Sequence, residues 1–66
     1  MNNTIKEEWK EYYEALEDIR KSGIVNMWGA APYLEQACGI TNSLAEEVVI
    51  NWIHNYNELA KKYNWR

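Results

Sequence analysis

Several residue types are rare in this sequence: among its 66 residues are one cysteine, one proline, three glycines and no phenylalanine. One cysteine cannot form an internal disulfide, so we expect a reduced, intracellular protein. Cys38 and the single histidine, His54, are the only soft metal ligands, and their spacing matches no recognised metal site. No apolar run approaches the roughly 18 residues of a membrane span, and the polar N-terminal segment lacks the apolar core of a signal peptide. The sequence therefore predicts a cytoplasmic protein without a metal, a cofactor or a membrane contact.

Basic residues are missing from residues 22–60, which carry four carboxylates and no lysine or arginine. Contacts of Lys and Arg with phosphates supply most of the affinity for nucleic acids. The stretch has the outline of a helix-turn-helix motif, but Glu46 and Glu47 stand near the start of its second helix. With a net charge of −3, nucleic acids and anionic lipids are not expected as partners.

The length of the chain limits the number of its domains and the stability of a monomer. Sixty-six residues make one domain. A chain this short buries only about 60% of the surface that its unfolded form exposes, so an isolated monomer is marginally stable. Without a disulfide or a metal, a partner chain is the remaining means of stabilisation, and we expect a homo-oligomer (a dimer or larger) or a bound partner.

The first helix is predicted over residues 4–22. Thr4 is a good N-cap, Glu7 completes a capping box, and Gly23 is suited to end the helix. Glu17 and Lys21 have the spacing of an ion pair on the helix surface. Apolar residues at four-three spacing predict one buried stripe, formed by Ile5, Trp9, Tyr12, Leu16 and Ile19.

The following segment predicts a turn and a short helix. Asn26 can cap a single turn that contains Met27 and Trp28. Pro32 suits the first turn of a helix over about 32–38, which ends at Gly39. A strand at residues 24–25 is the weaker alternative, because nothing else in the chain can pair with it.

The last helix is predicted over about 43–63. It begins near Thr41 or Ser43, and Ser43 with Glu46 makes a second capping box. Its apolar stripe has the same four-three spacing, and the side chains of Asn51 and His54 fall on the polar face. We therefore predict an all-α, three-helix domain, residues 1–66, in which two long helices hold a short one between them.

Aromatic residues are abundant, with four tryptophans and five tyrosines. The helical spacing predicts that four of them lie in the core: Trp9, Tyr12, Trp52 and Tyr56. Five others are hard to bury together in so small a domain: Tyr13, Trp28, Tyr33, Tyr63 and Trp65. Aromatic side chains with a polar group are favoured at interfaces. One interpretation is a contact loop in which Asn26 and Met27 present Trp28 beside Tyr33; the alternative is ordinary packing.

Four carboxylates of the first helix share one face at helical spacing: Glu7, Glu11, Glu14 and Asp18. A solvated outer face is the usual role of such a set, and an acidic strip that meets a basic partner is the alternative. His54 has no serine or cysteine beside it that suggests a nucleophile–base pair, and Cys38 is expected to be a small buried apolar residue. We do not expect an enzyme.

Three segments together resemble a group of small helical proteins encoded by bacteriophages. Residues 20–34 read RKSGIVNMWGAAPYL, residues 39–41 read GIT, and residues 46–52 read EEVVINW. The group has roughly the pattern Arg-x-Ser-Gly-x-x-Asn-Met-aromatic-Gly-Ala-x-Pro-Tyr-Leu, then a helix that ends near a Trp, and the match covers about residues 13–56. The resemblance implies a phage origin, and hence the cytoplasm of a bacterial host, but no activity. It also implies a shared structural or contact element made of Asn26, Met27, Trp28, Gly29, Tyr33 and Leu34.

Three functions remain open at this point. The first is a phage-type accessory protein that binds a host or phage protein, for example to inhibit or adapt a defence nuclease as anti-CRISPR proteins do. Its expected contacts are Asn26, Met27, Trp28, Tyr33 and the four helix carboxylates, Glu7, Glu11, Glu14 and Asp18. The second is an oligomeric sponge that holds a nucleotide signal between protomers by aromatic stacking. Its expected ligand-binding residues are Arg20, Lys21, Asn26, Trp28 and Tyr33. The third is a helix-turn-helix regulator, which the acidic second helix disfavours.

Overall fold

Helices make up all the regular structure in residues 4–23 and 26–65, the part of the chain that the computed structural model describes. Two short 3-10 turns occur at Glu7–Trp9 and Met27–Gly29. The α-helices are α1 (Lys10–Lys21), α2 (Ala31–Cys38), α3 (Asn42–His54) and α4 (Tyr56–Lys62). The all-α prediction is confirmed, with four α-helices in the described residues instead of the predicted three. The alternative of a strand at residues 24–25 lies outside the described residues.

The start of the first helix differs from the prediction. Helical structure begins with the 3-10 turn at Glu7, preceded by an extended Lys6 whose side chain caps nothing. Thr4 is outside the helix, and its carbonyl oxygen accepts a hydrogen bond of 2.9 Å from Nδ2 of Asn51 in α3. The predicted capping box at Thr4 is therefore wrong, because this part of the backbone is bound to another helix.

Helix α2 follows its sequence signals closely. Pro32 lies in the first turn, where its missing N–H costs no helical hydrogen bond. Gly39 ends the helix at φ 65°, and its N–H donates to the carbonyl oxygen of Glu35 at 2.8 Å. A left-handed residue at this position is the common way to end a helix, and glycine adopts it without steric cost.

The predicted third helix is divided into α3 and α4. Thr41 caps α3 by accepting a hydrogen bond of 3.2 Å from the Leu44 N–H, so the predicted box at Ser43 is not the cap. The division falls at Asn55, which leaves helical geometry at φ −113° and ψ 15°. Its side-chain Nδ2 and its backbone N–H both donate to the carbonyl oxygen of Asn51. A side chain that competes for a helical carbonyl in this way bends or breaks the helix.

The core lies where α1, α2 and α3 pack on one another, and Leu59 of α4 closes it. Trp9 and Trp52 are buried as predicted, while Tyr12 and Tyr56 are half-buried against the core. Tyr13, which the sequence placed among the aromatics that are hard to bury, is fully buried. The radius of gyration of 10.8 Å equals the roughly 11 Å expected for a compact chain of this length.

A buried hydrogen-bond network explains the burial of Tyr13. Its hydroxyl donates to Oδ1 of Asn51 at 2.7 Å and accepts from the Lys6 N–H at 3.1 Å. Asn51 is 5% exposed, so its assignment to the polar face of the helix is wrong. The network joins the segment before α1 to the middle of α3.

Candidate functional site

Trp28 is held away from the core by a short, hydrogen-bonded turn. Oδ1 of Asn26 accepts a hydrogen bond of 3.1 Å from the Trp28 N–H, which confirms the predicted cap. The N–H groups of Gly29 and Ala30 donate to the carbonyl oxygens of Asn26 and Met27, each at 3.1 Å. Met27 packs against the core and Ala30 is fully buried, so the turn is anchored on both sides of Trp28. The Trp28 side chain itself is 62% exposed.

The Trp28 cleft is an open cavity of about 360 Å³ beside this side chain. Residues from α1, the second 3-10 turn, α3 and α4 line it: Arg20, Asn26, Met27, Trp28, Trp52, Ile53 and Tyr56. The rings of Trp52 and Tyr56 meet edge to face at a centroid distance of 4.8 Å. The cleft has the size and the mostly apolar lining with few polar groups that are typical of small binding sites.

The one cation of the Trp28 cleft is already paired. Nε and Nη2 of Arg20 donate to the two carboxylate oxygens of Glu17, at 3.1 and 2.8 Å. The Tyr56 hydroxyl donates to Oε1 of Glu17 at 3.1 Å, and the Arg20 guanidinium lies 5.4 Å from the centroid of the Tyr56 ring. Glu17 therefore pairs with Arg20, whereas the spacing had predicted a pair with Lys21.

Among the described residues, Glu17 is the one buried charged side chain, at 2% exposure. Burial by itself raises the pKa of this carboxyl group, but the hydrogen bonds from Arg20 and Tyr56 and the charge of Arg20 outweigh it, so the pKa lies below its ordinary value. The hydrogen bond to Glu17 raises the pKa of Arg20. The pair is ionised at neutral pH and leaves the cleft without net charge.

A second cleft, of about 280 Å³, also borders Trp28. Its other lining residues are Ala31, Glu46, Val49 and Ile50. Ile50 is 39% exposed, and Glu46 is an exposed carboxylate without an ion-pair partner among the described residues. Trp28 thus lies between a neutral cleft with hydrogen-bond donors and a cleft that contains one negative charge.

Two of the residues predicted to act with Trp28, Tyr33 and Lys21, line neither cleft. Tyr33 is 52% exposed on α2, and Lys21 is exposed at the end of α1, but neither lines the Trp28 cleft. Of the residues predicted for a nucleotide site, the cleft brings together Arg20, Asn26 and Trp28.

The predicted acidic strip is divided in the structure. Glu11, Glu14 and Asp18 are exposed and line a groove of about 510 Å³ between α1 and α2, together with Tyr12, Ala15, Ala37 and Cys38. Glu7 lies in the first 3-10 turn and pairs with Nζ of Lys62 from α4. The acidic groove therefore contains three of the four carboxylates.

Cys38 and His54 are the residues with possible reactivity, and neither lines the Trp28 cleft. Cys38 is half-buried beside the acidic groove, and burial, with a smaller contribution from Glu11, raises the pKa of its thiol. His54 is exposed at the end of α3, as predicted. No group of three or more His, Cys, Asp or Glu side chains with metal-binding geometry occurs in residues 4–23 and 26–65. Within the same residues, no helix has the length and apolar character to cross a bilayer.

Trp52, one of the residues that line the Trp28 cleft, contains a buried unpaired donor. Trp52 is 3% exposed, and its indole Nε1 has no hydrogen-bond acceptor in the described part of the chain. Sequence reasoning placed Trp52 only in the core, because nothing in the helical spacing indicates that a cleft reaches it.

Comparisons of the chain with protein-family models, with curated proteins and with solved structures found no match. The resemblance to phage-encoded helical proteins therefore stays a prediction.

Proposed function

We propose that this chain is a small phage-type accessory protein that acts by binding another protein. The observation that carries the proposal is the exposure of three large apolar side chains: Trp28 at 62%, Tyr33 at 52% and Ile50 at 39%. Exposed aromatic side chains that a scaffold holds rigidly are the usual anchors of protein interfaces. The turn that carries Trp28 has its own cap and is flanked by the half-buried Met27 and the buried Ala30, so the backbone position from which the ring projects is held by the fold.

Charge supports the same class of partner. Apart from Arg20, whose charge is paired with Glu17, the residues that line the two clefts beside Trp28 belong to residues 22–60, which contain no lysine or arginine. The acidic groove adds Glu11, Glu14 and Asp18. A basic protein surface is complementary to this distribution and is steered toward it. The action we propose is occlusion: Trp28 and Tyr33 anchor on a partner, such as a host defence nuclease, while the helix carboxylates meet its basic residues.

The nucleotide sponge is the second candidate, and the rings beside Arg20 in the Trp28 cleft favour it. The pairing of Arg20 with Glu17 counts against it, because a phosphate has to displace a buried carboxylate or bind a site without net charge.

Native mass spectrometry of the tagged protein, purified gently from a bacterial lysate, tests these functions. A stoichiometric complex with one host or phage protein, lost on Trp28→Ala and kept in a control such as Gln36→Ala on α2, supports the proposal. A homo-oligomer that carries a small extra mass supports the sponge instead. A homo-oligomer that carries neither another protein nor an extra mass contradicts both binding functions. Such an oligomer would agree only with the assembly expected for so short a chain.

A further inference from the structure

The two clefts that meet at Trp28 differ in chemistry. Asn26 and the guanidinium N–H groups of Arg20 other than those on Glu17 give the Trp28 cleft hydrogen-bond donors, while Oδ1 of Asn26 and the carboxylate of Glu17 already accept hydrogen bonds. An apolar group with a nearby carbonyl oxygen complements such a site, and a residue of a polypeptide chain has both.

The second cleft complements a different side chain. Val49 and Ile50 provide an apolar wall, Glu46 provides the charge, and Trp28 provides an exposed ring face. Lysine and arginine bury their aliphatic stems on apolar surface while the charged end pairs with a carboxylate or stacks on an indole ring. Arginine fits best, because its planar guanidinium can stack on the ring and pair with the carboxylate at once.

We propose that Trp28 divides two subsites for one segment of a partner protein, with an apolar residue in the Trp28 cleft and an arginine or lysine in the Glu46 cleft. The proposal rests on the protein-binding function above and adds the sequence class of the bound segment. Side chains two residues apart in an extended chain point the same way and are roughly 7 Å apart. A segment of the form apolar-x-basic can therefore place one side chain on each side of the ring.

The test uses three blocked tripeptides and the full-length protein, so it needs no natural partner. Acetyl-Leu-Ala-Arg-amide is the probe, and acetyl-Leu-Ala-Gln-amide and acetyl-Ala-Ala-Arg-amide each lack one of the two side chains. The readout is the indole N–H resonances of ¹⁵N-labelled protein, because Trp28 and Trp52 line the clefts while Trp9 and Trp65 do not. We expect the first peptide to shift Trp28 and Trp52 with a dissociation constant on the order of 1 mM or lower, and to leave Trp9 unshifted; Trp65 is not a reference, because its ring packs on Tyr56 of the Trp28 cleft.

Two substitutions separate the subsites. Glu46→Gln should weaken the arginine peptide about two- to fivefold, the range of an exposed ion pair, and leave the glutamine peptide unchanged. Glu47→Gln removes the neighbouring exposed charge, which does not line the cleft, and should change neither affinity. Trp28→Ala should weaken all binding by at least about tenfold.

Other outcomes overturn the inference in distinguishable ways. Equal affinities for the arginine and glutamine peptides would remove the basic subsite. No shift of Trp28 or Trp52 at saturating peptide would remove both subsites, while a partner complex in the mass spectrum would leave the protein-binding function standing. Adenosine monophosphate that shifts the same two resonances when the peptides do not would assign the cleft to a nucleotide.

Discussion

Removal of the buried Tyr13 hydroxyl should measurably lower the free energy of unfolding. The Tyr13 hydroxyl is the donor to Oδ1 of Asn51 at 2.7 Å, and both side chains are buried. Tyr13→Phe keeps the ring and its packing but leaves the Asn51 oxygen and the Lys6 N–H without this partner. A buried polar group left unsatisfied costs about 1–3 kcal/mol.

The structure places the cost in the lower part of that range. Nδ2 of Asn55 lies 3.4 Å from the same Asn51 oxygen and can move toward it. We therefore expect Tyr13→Phe to lower the free energy of unfolding by about 1–2 kcal/mol, which lowers Tm by roughly 5–15 °C in a domain of this size.

Urea unfolding followed by circular dichroism at 222 nm measures the change, with an unaltered m-value as the sign of an unaltered native fold. Tyr12→Phe is the matched control: the residue is adjacent on α1 and half-buried, and its hydroxyl makes no hydrogen bond within the described residues. Its stability should change by no more than about 0.5 kcal/mol. Equal midpoints for the two variants would refute the role of the network.

Two further predictions follow from buried charge and backbone geometry. Because folding lowers the pKa of Glu17, its carboxylate stabilises the fold above pH 4.5, the ordinary value, and the contribution is lost as the pH falls through the folded pKa. The Tm of the wild type should exceed that of Glu17→Gln at pH 7 and approach it on acidification to pH 3; a gap that widens would contradict the pairing with Arg20. Gly39→Ala should cost about 1–2 kcal/mol, because a Cβ is strained at φ 65° even though the surrounding space is open. Gly29→Ala, at a glycine without positive φ and with equally open space, is the control and should not destabilise in thermal melts; equal losses would contradict the argument.

Local signals in the sequence predict local structure well. The cap at Asn26 and the limits of α2 depend on residues within a few positions of each other, and the structure agrees with all of them. The division at Asn55 was missed because a hydrogen bond between its side chain and the Asn51 carbonyl leaves no mark on the apolar spacing. Helical periodicity reports which face of a segment is apolar, not whether a polar residue interrupts it.

Long-range hydrogen bonds account for the other errors. Tyr13 and Asn51 are 38 positions apart, and Glu17 and Tyr56 are 39 apart, so neither pair is visible before the helices are packed. The excess of aromatic residues over so small a core predicted that some stay exposed, but not which ones. Of the five that are hard to bury together, Trp28 and Tyr33 are exposed, whereas Tyr13 is fully buried and Tyr63 and Trp65 are half-buried. The clefts beside Trp28 could not, since α1, α3 and α4 each contribute part of their walls.

The affinity of the Trp28→Ala variant for the purified partner protein tests the central claim most directly. Isothermal titration calorimetry should show a loss of about 2 kcal/mol or more, roughly thirtyfold in Kd, while the far-UV circular dichroism and the binding of Gln36→Ala stay unchanged. An affinity that survives the substitution with the fold intact would contradict the assignment of Trp28 as the anchor. Loss of the helical signal in Trp28→Ala would show instead that the ring belongs to the core.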